Sequence, residues 1–210
     1  MTRNIIITGA GGALGSNTVK AFKNNEAFNV YEVSGTDLTD MNNAQAIADQ
    51  HDEIDVLLNI AGGFTWKEIK DTSFEDFEAQ FNMNFKTMYN MTMATLTKIE
   101  KAESGRIVNI GAASAITAAS GMAAYAASKS AVMRFTEALA AETPDTMTVN
   151  ALLPSIIDTP TNRNDMPEAD FSKWVTVDEL ISQLIFLVSV QSSGINGAII
   201  PVTGRIYAQV

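Results

Sequence analysis

Asn4-Ile5-Ile6-Ile7-Thr8-Gly9-Ala10-Gly11-Gly12-Ala13-Leu14-Gly15 is the stretch whose reading decides the fold. Residues 4–8 form a short, β-branched apolar run, as a parallel strand buried on both faces requires. The run passes directly into glycines and then into a helical pattern with Leu14, Val19 and Phe22 apolar. Glycines let the backbone approach a ligand, and the unpaired N–H groups at a helix start point at an anion. Strand, glycine turn and helix in this order predict a dinucleotide phosphate site at Gly9, Gly11, Gly12, Ala13, Leu14 and Gly15.

The rest of the chain repeats the alternation. A strand at Phe28–Val33 ends at Ser34-Gly35-Thr36, and Asp37-Leu38-Thr39-Asp40 follows almost at once, so the helix that would separate two strands is shortened to a turn. Residues 42–50 read as a helix and Glu53–Asn59 as a strand opening into Ile60-Ala61-Gly62-Gly63. A long helical pattern from Phe74 to about Ile99 carries Phe77, Phe81, Phe85, Met88 and Leu96 near one stripe, read as core or subunit contact. Asn84 is polar among these apolar positions and needs a partner if buried. Strands follow at Gly105–Ile110 and Met147–Leu153, then a loop from Ser155 to about Trp174, a helix at Val177–Val190 and a last strand at Gly197–Ile200. Long loops without periodicity commonly serve as lids, so residues 154–175 are expected to cover a substrate. The expectation is one α/β domain over 1–210, a doubly wound parallel sheet of about seven strands flanked by helices.

Composition narrows the function. The chain has no cysteine and one histidine, His51 in the polar stretch 49–53, which excludes disulfides, thiolate catalysis and Cys-based zinc sites and makes a His-based triad unattractive. A net charge of −10 argues against non-specific nucleic acid or anionic membrane as a partner. No apolar stretch is long enough to span a bilayer, and the amino terminus lacks the pattern of a signal peptide, so a cytoplasmic protein is expected. No metal site is indicated.

Tyr125-Ala126-Ala127-Ser128-Lys129 lies in a run of small residues from Gly111 to Val132. On a helix, the i,i+4 spacing puts the Tyr125 phenol and the Lys129 ammonium on one face. A neighbouring cation favours the phenolate, so Lys129 is expected to draw the Tyr125 pKa down toward working pH and make it a proton donor or acceptor.

Taken together these residues resemble the short-chain dehydrogenase/reductase family over essentially the whole chain. Thr8-Gly9 to Gly15 is similar to its coenzyme turn, with Ala13 at the middle glycine. Asn59-Ile60-Ala61-Gly62 is similar to its Asn-Asn-Ala-Gly element with the second Asn replaced. Asn84 and Tyr125-x-x-x-Lys129 match its active-site positions. The resemblance implies catalysis by Tyr125, Lys129 and Asn84. It further implies NAD or NADP held by the glycine turn, Ser34, Asp37, Leu38, Asn59, Ala61, Gly62, Tyr125, Lys129, Pro154, Ile157 and Thr159. An acid near Val33 or Ser34 would favour NAD; none stands there, with Glu32 slightly early, and the coenzyme choice stays open.

The family's catalytic serine position is Ala112 here, with Ser114 nearby as a candidate replacement. The lid residues, with Phe64 and Ala112, resemble the dihydropteridine reductase branch, chiefly in Leu153-Pro154, Asp158-Thr159-Pro160, Asn162-Arg163 and Met166 to Ser172 with Trp174. This implies hydride transfer to a C=N or C=O substrate touching Ala112, Ser114, Phe64 and Trp174. Alternatives are a carbonyl reductase or alcohol dehydrogenase of another small molecule and a non-catalytic dinucleotide sensor. The resemblance also implies a homodimer or homotetramer paired through residues 74–99 and 125–142.

Overall fold

The computed structural model describes residues 2–206. Six parallel strands, β1 (Arg3–Thr8), β2 (Phe28–Val33), β3 (Val56–Asn59), β4 (Gly105–Ile110), β5 (Met147–Pro154) and β6 (Ile199–Val202), lie in the order β2-β1-β3-β4-β5-β6. Because successive strand residues face opposite sides, Ile5 and Ile7 pack with Leu14, Val19 and Phe22 of α1 (Ala13–Lys23) and with Leu180, Leu184 and Leu187 of α7 (Val177–Val188). Ile6 packs on the other side with Ala44 and Ala48 of α2 (Met41–Ala48), Met91 and Ala94 of α4 (Thr87–Ile99) and Leu139 of α5 (Ala123–Glu142). The order reverses between β1 and β3, which opens a crevice at their carboxyl ends.

The described residues hold six strands where about seven were expected. Asp37–Asp40 is turn. The Asp37 carboxylate accepts from Thr39 N at 2.9 Å and Thr39 Oγ1 at 2.6 Å, and Asp40 caps α2 by accepting from Asn42 N. Side chains thus take up backbone donors that a ladder would have used. Asn90 of α4 ties the turn down by donating to the carbonyls of Leu38 and Thr39.

The helix expected at 74–99 is divided. α3 (Phe74–Phe81), opened by a capping box of Ser73 and Asp76, runs into a π-helical turn at Asn82–Lys86 before α4 begins. A π turn shifts the helical phase, so a stripe read at constant period changes face across it. Phe81 is 36% and Tyr89 37% exposed, whereas Gln80 is the buried residue of α3.

A buried polar chain crosses the sheet on the α4–α5 side. Asn59 Nδ2 donates to Thr92 Oγ1 at 3.0 Å and to Asn109 Oδ1 at 2.9 Å, and Asn109 Nδ2 donates to Thr136 Oγ1 at 2.9 Å. These bonds fasten β3 and β4 to α4 and α5. Among the described residues no helix is long and apolar enough to cross a membrane, and no group of three or more His, Cys, Asp or Glu could hold a metal ion. Asn109→Ala leaves one of the two Asn59 Nδ2 donors unpaired in the interior and takes from Thr136 Oγ1 the bond it accepts. Urea unfolding should show a loss of about 2–3 kcal/mol.

Candidate active site

The crevice is a cleft of about 460 Å³ lined by Gly9, Gly11, Gly12, Ala13, Leu14, Gly15, Ser34, Leu38, Ala61 and Gly62, with Val33, Gly35, Thr36 and Ile60 between them. Its shape follows from close backbone approach. Gly9 has φ +69°, and a Cβ there would lie 2.7 Å from Ala61 N; one on Gly15 would run into the carbonyl of Gly9. α1 begins at Gly12 with no side-chain cap, leaving first-turn N–H groups for a ligand. Thr8, the last residue of β1, accepts from Ile60 N at 3.0 Å and Ala61 N at 3.1 Å through Oγ1, which holds the β3 loop against the turn. Thr8 is the polar end of the Ile5–Ile7 run, and that contrast is the sequence signal for its role.

These walls fit a dinucleotide. The glycine backbone and helix start suit a pyrophosphate, and Ser34, Gly35 and Thr36 offer hydroxyls and backbone where a ribose would lie. No Lys, Arg, Asp or Glu lines the cleft. Glu32 is paired with Lys23, and Asp37 is held by Thr39, which lowers its pKa.

At the crevice's far side the loop after β3, the π turn and α5 converge. Gly63 N–H donates to Asn84 Oδ1 at 3.0 Å; Asn84 Nδ2 donates to Ser128 Oγ at 3.2 Å and Gln80 Oε1 at 3.3 Å. Thus Asn84 is buried and finds the partners its polarity requires. A Cβ on Gly62 would lie 2.7 Å from Asn84 Oδ1 and 3.3 Å from Lys129 Nζ, so the loop, Asn84 and Lys129 pack with no spare volume. Lys129 Nζ donates to Ile110 O at 2.7 Å. Phe64 stands edge-on to Tyr125 with ring centroids 4.9 Å apart and is 51% exposed.

The expected lowering of the Tyr125 pKa is not found. Burial pushes the Tyr125 phenol up to about 12 and Lys129 down to about 8. The reason is desolvation, which disfavours the charged form of each group, while the Lys129 ammonium is turned to a carbonyl.

Of the expected coenzyme residues, Asp37, Asn59, Tyr125, Lys129, Pro154, Ile157 and Thr159 do not line the cleft. Asn59 is occupied in the sheet interior. Thr159 is a helix cap, accepting from Asn162 N at the start of α6 (Pro160–Asp165), and Pro154 and Ile157 lie outside the cleft walls. Trp174 is 3% exposed, packed on Phe171 at 4.7 Å. Arg163 stacks over Phe171 and pairs with Asp158, so residues 154–175 carry ordered local structure. Ala112, 5% exposed, puts a methyl where the hydroxyl would be. Ser114 lies in the 3-10 turn Ala113–Ala115, and its Oγ is enclosed without a hydrogen-bond partner.

A family model for short chain dehydrogenases matches residues 23–170, a span that contains Asn84, Tyr125 and Lys129. A cyclopentanol dehydrogenase of Comamonas sp. is 32% identical over 166 residues, covering 74% of this chain and 66% of that protein's length. The dihydropteridine reductase of Dictyostelium discoideum is 27% identical over 203 residues, covering 88% and 87%. Among solved structures, ligand-free aldohexose dehydrogenase of Thermoplasma acidophilum superposes with a TM-score of 0.89 at 24% identity, over 100% of this chain and 96% of the other. A gluconate 5-dehydrogenase of Burkholderia cenocepacia in complex with NADP and tartrate gives 0.83 at 24% identity, over 96% and 94%.

The depressed Lys129 pKa has a stability consequence. The native state disfavours the ammonium, so the penalty is full below about pH 8 and is relieved as pH rises toward the ordinary value of 10.5. Lys129→Met removes it. Its stability relative to the parent should be greatest at pH 7 and fall by on the order of 3 kcal/mol between pH 8 and 10.5, measured by chemical denaturation.

Proposed function

Since this chain belongs to the short-chain dehydrogenase family, we propose that it is an NAD(P)-dependent oxidoreductase acting on a C=N or C=O substrate, in the manner of a dihydropteridine reductase. The observation that carries the reading is the convergence of Tyr125, Lys129 and Asn84 beside a glycine-walled cleft. When bound, the nicotinamide dinucleotide supplies or accepts hydride. Gly9, Gly11, Gly12 and the start of α1 hold its phosphates, and Ser34 and Leu38 flank its adenosine end.

Tyr125 delivers a proton from Oη to the substrate heteroatom. A phenol pushed up to about 12 is fully protonated at neutral pH, which suits an acid. Lys129, within reach of the loop at Gly62, keeps positive charge where the phenolate forms. Asn84 holds that loop through Gly63, and Phe64 gives a flat substrate an aromatic wall beside the phenol. A conjugated ring spreads developing charge, so it depends less on a hydroxyl at Ala112 than an isolated ketone does.

A second reading is a carbonyl reductase or alcohol dehydrogenase in which the Ser114 hydroxyl, unpartnered and enclosed in this structure, turns out to polarise the carbonyl. A dimer through α3, α4 and α5 is supported by Phe81, Tyr89 and Met93, each 36–40% exposed, beside the stacked pair Phe85–Tyr89 and the Phe135 ring edge-on to both.

Purified protein given freshly generated quinonoid dihydropterin with NADH or NADPH should consume coenzyme above the uncatalysed rate. Confirmed coenzyme binding with no turnover would discard that substrate and pass the test to a ketone panel, where Ser114→Ala should slow the reaction. Tyr125→Phe should lower kcat at least about 100-fold with coenzyme affinity little changed. Because turnover needs the Lys129 ammonium, reduction should also fall as pH rises through about 8.

A further inference from the structure

Gln80 is a buried amide that the chemistry above does not use. It is 3% exposed, although its neighbours Ala79 and Phe81 on α3 face solvent. Both ends of its side chain are engaged: Oε1 accepts from Asn84 Nδ2 at 3.3 Å, and Nε2 donates to Thr65 Oγ1 at 3.3 Å. Thr65 sits one residue after Phe64, the ring that stands against Tyr125, and one before Trp66, whose Nε1 donates to Ser120 O at 3.0 Å. Gln80 and Thr65 also wall a second cavity of about 50 Å³ with Lys67, Asp76 and Thr72, so the amide separates this polar cavity from buried Asn84. The Lys67–Asp76 pair across it is closed at 2.6 Å.

We infer that Gln80 is a positioning residue, clamping the Gly63–Trp66 loop to Asn84 so that Phe64 and the Gly62 backbone keep their places beside Tyr125 and Lys129. This rests on the oxidoreductase reading for its kinetic consequence but not for its structural one. The clamp holds at two points, since Asn84 takes Gly63 N–H directly and reaches Thr65 only through Gln80. An apolar side chain at 80 would leave Asn84 with one donor unpaired and the tip of the loop tied by Trp66 alone. Asn84 would still bond Ser128 and Gly63, so the lost function is registration of the loop rather than folding of the helix.

Two tryptophans make the clamp measurable without turnover: Trp66, 54% exposed on the loop, and Trp174, 3% exposed. Acrylamide therefore quenches Trp66 preferentially. In Gln80→Leu the quenching slope should rise roughly twofold as the loop loosens. With a turned-over substrate, kcat should fall about 10- to 100-fold while coenzyme affinity stays within about twofold, the pattern of a misplaced reacting geometry. Gln80→Glu retains an acceptor for Asn84 and one for the Thr65 hydroxyl, and should recover most of both losses. Unchanged quenching in a folded Gln80→Leu would overturn the inference, whatever its activity. So would loosened quenching with unaltered kcat. If Gln80→Leu does not fold, Thr65→Val cuts the same link from the exposed side and is read against the same two outcomes. If the parent binds coenzyme yet turns nothing over, the oxidoreductase reading fails alone, and quenching still decides the role of Gln80.

Discussion

The close approach of three backbone segments at the carboxyl edge of the sheet is the constraint on which the rest depends. Gly9 lies against Ala61, Gly15 against Gly9, and Gly62 against Asn84 and Lys129, with no room for a Cβ at any of the three glycines. The first two contacts give the cleft its floor; the third brings the β3 loop into register with α5. Thr8 Oγ1 links them, since one hydroxyl accepts from both Ile60 N and Ala61 N. The glycine turn, the β3 loop and the Asn84–Lys129 group are therefore joined by direct contact rather than along the chain.

Lys129 is held at a cost. Burial disfavours its ammonium, and the bond to Ile110 O offsets only part of this, whereas the Tyr125 phenol stays neutral and carries no such penalty. Such groups persist because the surrounding packing over-determines them, and the Asn59–Asn109–Thr136 chain beneath α5 supplies some of that rigidity. The same burial keeps the phenol protonated and makes the charge of the lysine sensitive to mild alkali.

Much of this was legible in the residues. The alternation of apolar strands with helical patterns marked all six strands, and the i,i+4 pair at 125 and 129 lies on one helix as its spacing required. Asn84 was marked by its polarity, but its partners were not, because Gln80, Ser128 and Gly63 come together only through the π turn and the packing of α3 on α5. The stripe of Phe77, Phe81 and Phe85 was read at constant period; the π turn breaks that period and leaves Phe81 outside. Trp174 matched the lid pattern, yet it is buried against Phe171, since an indole in an ordered segment gains more from covering apolar surface than from facing a cleft.

Local rules therefore determined the parallel α/β architecture, the glycine turn and the placing of Tyr125 and Lys129 on one helix, because these depend on periodicity, glycine and short spacings along the chain. Tertiary structure alone decided the sign of the Tyr125 shift, the turn bonds at Asp37–Asp40 and the partners of Gln80. Desolvation depends on what surrounds a group in space. A backbone donor goes to whichever acceptor folding brings nearest, and neither quantity is written in the order of residues.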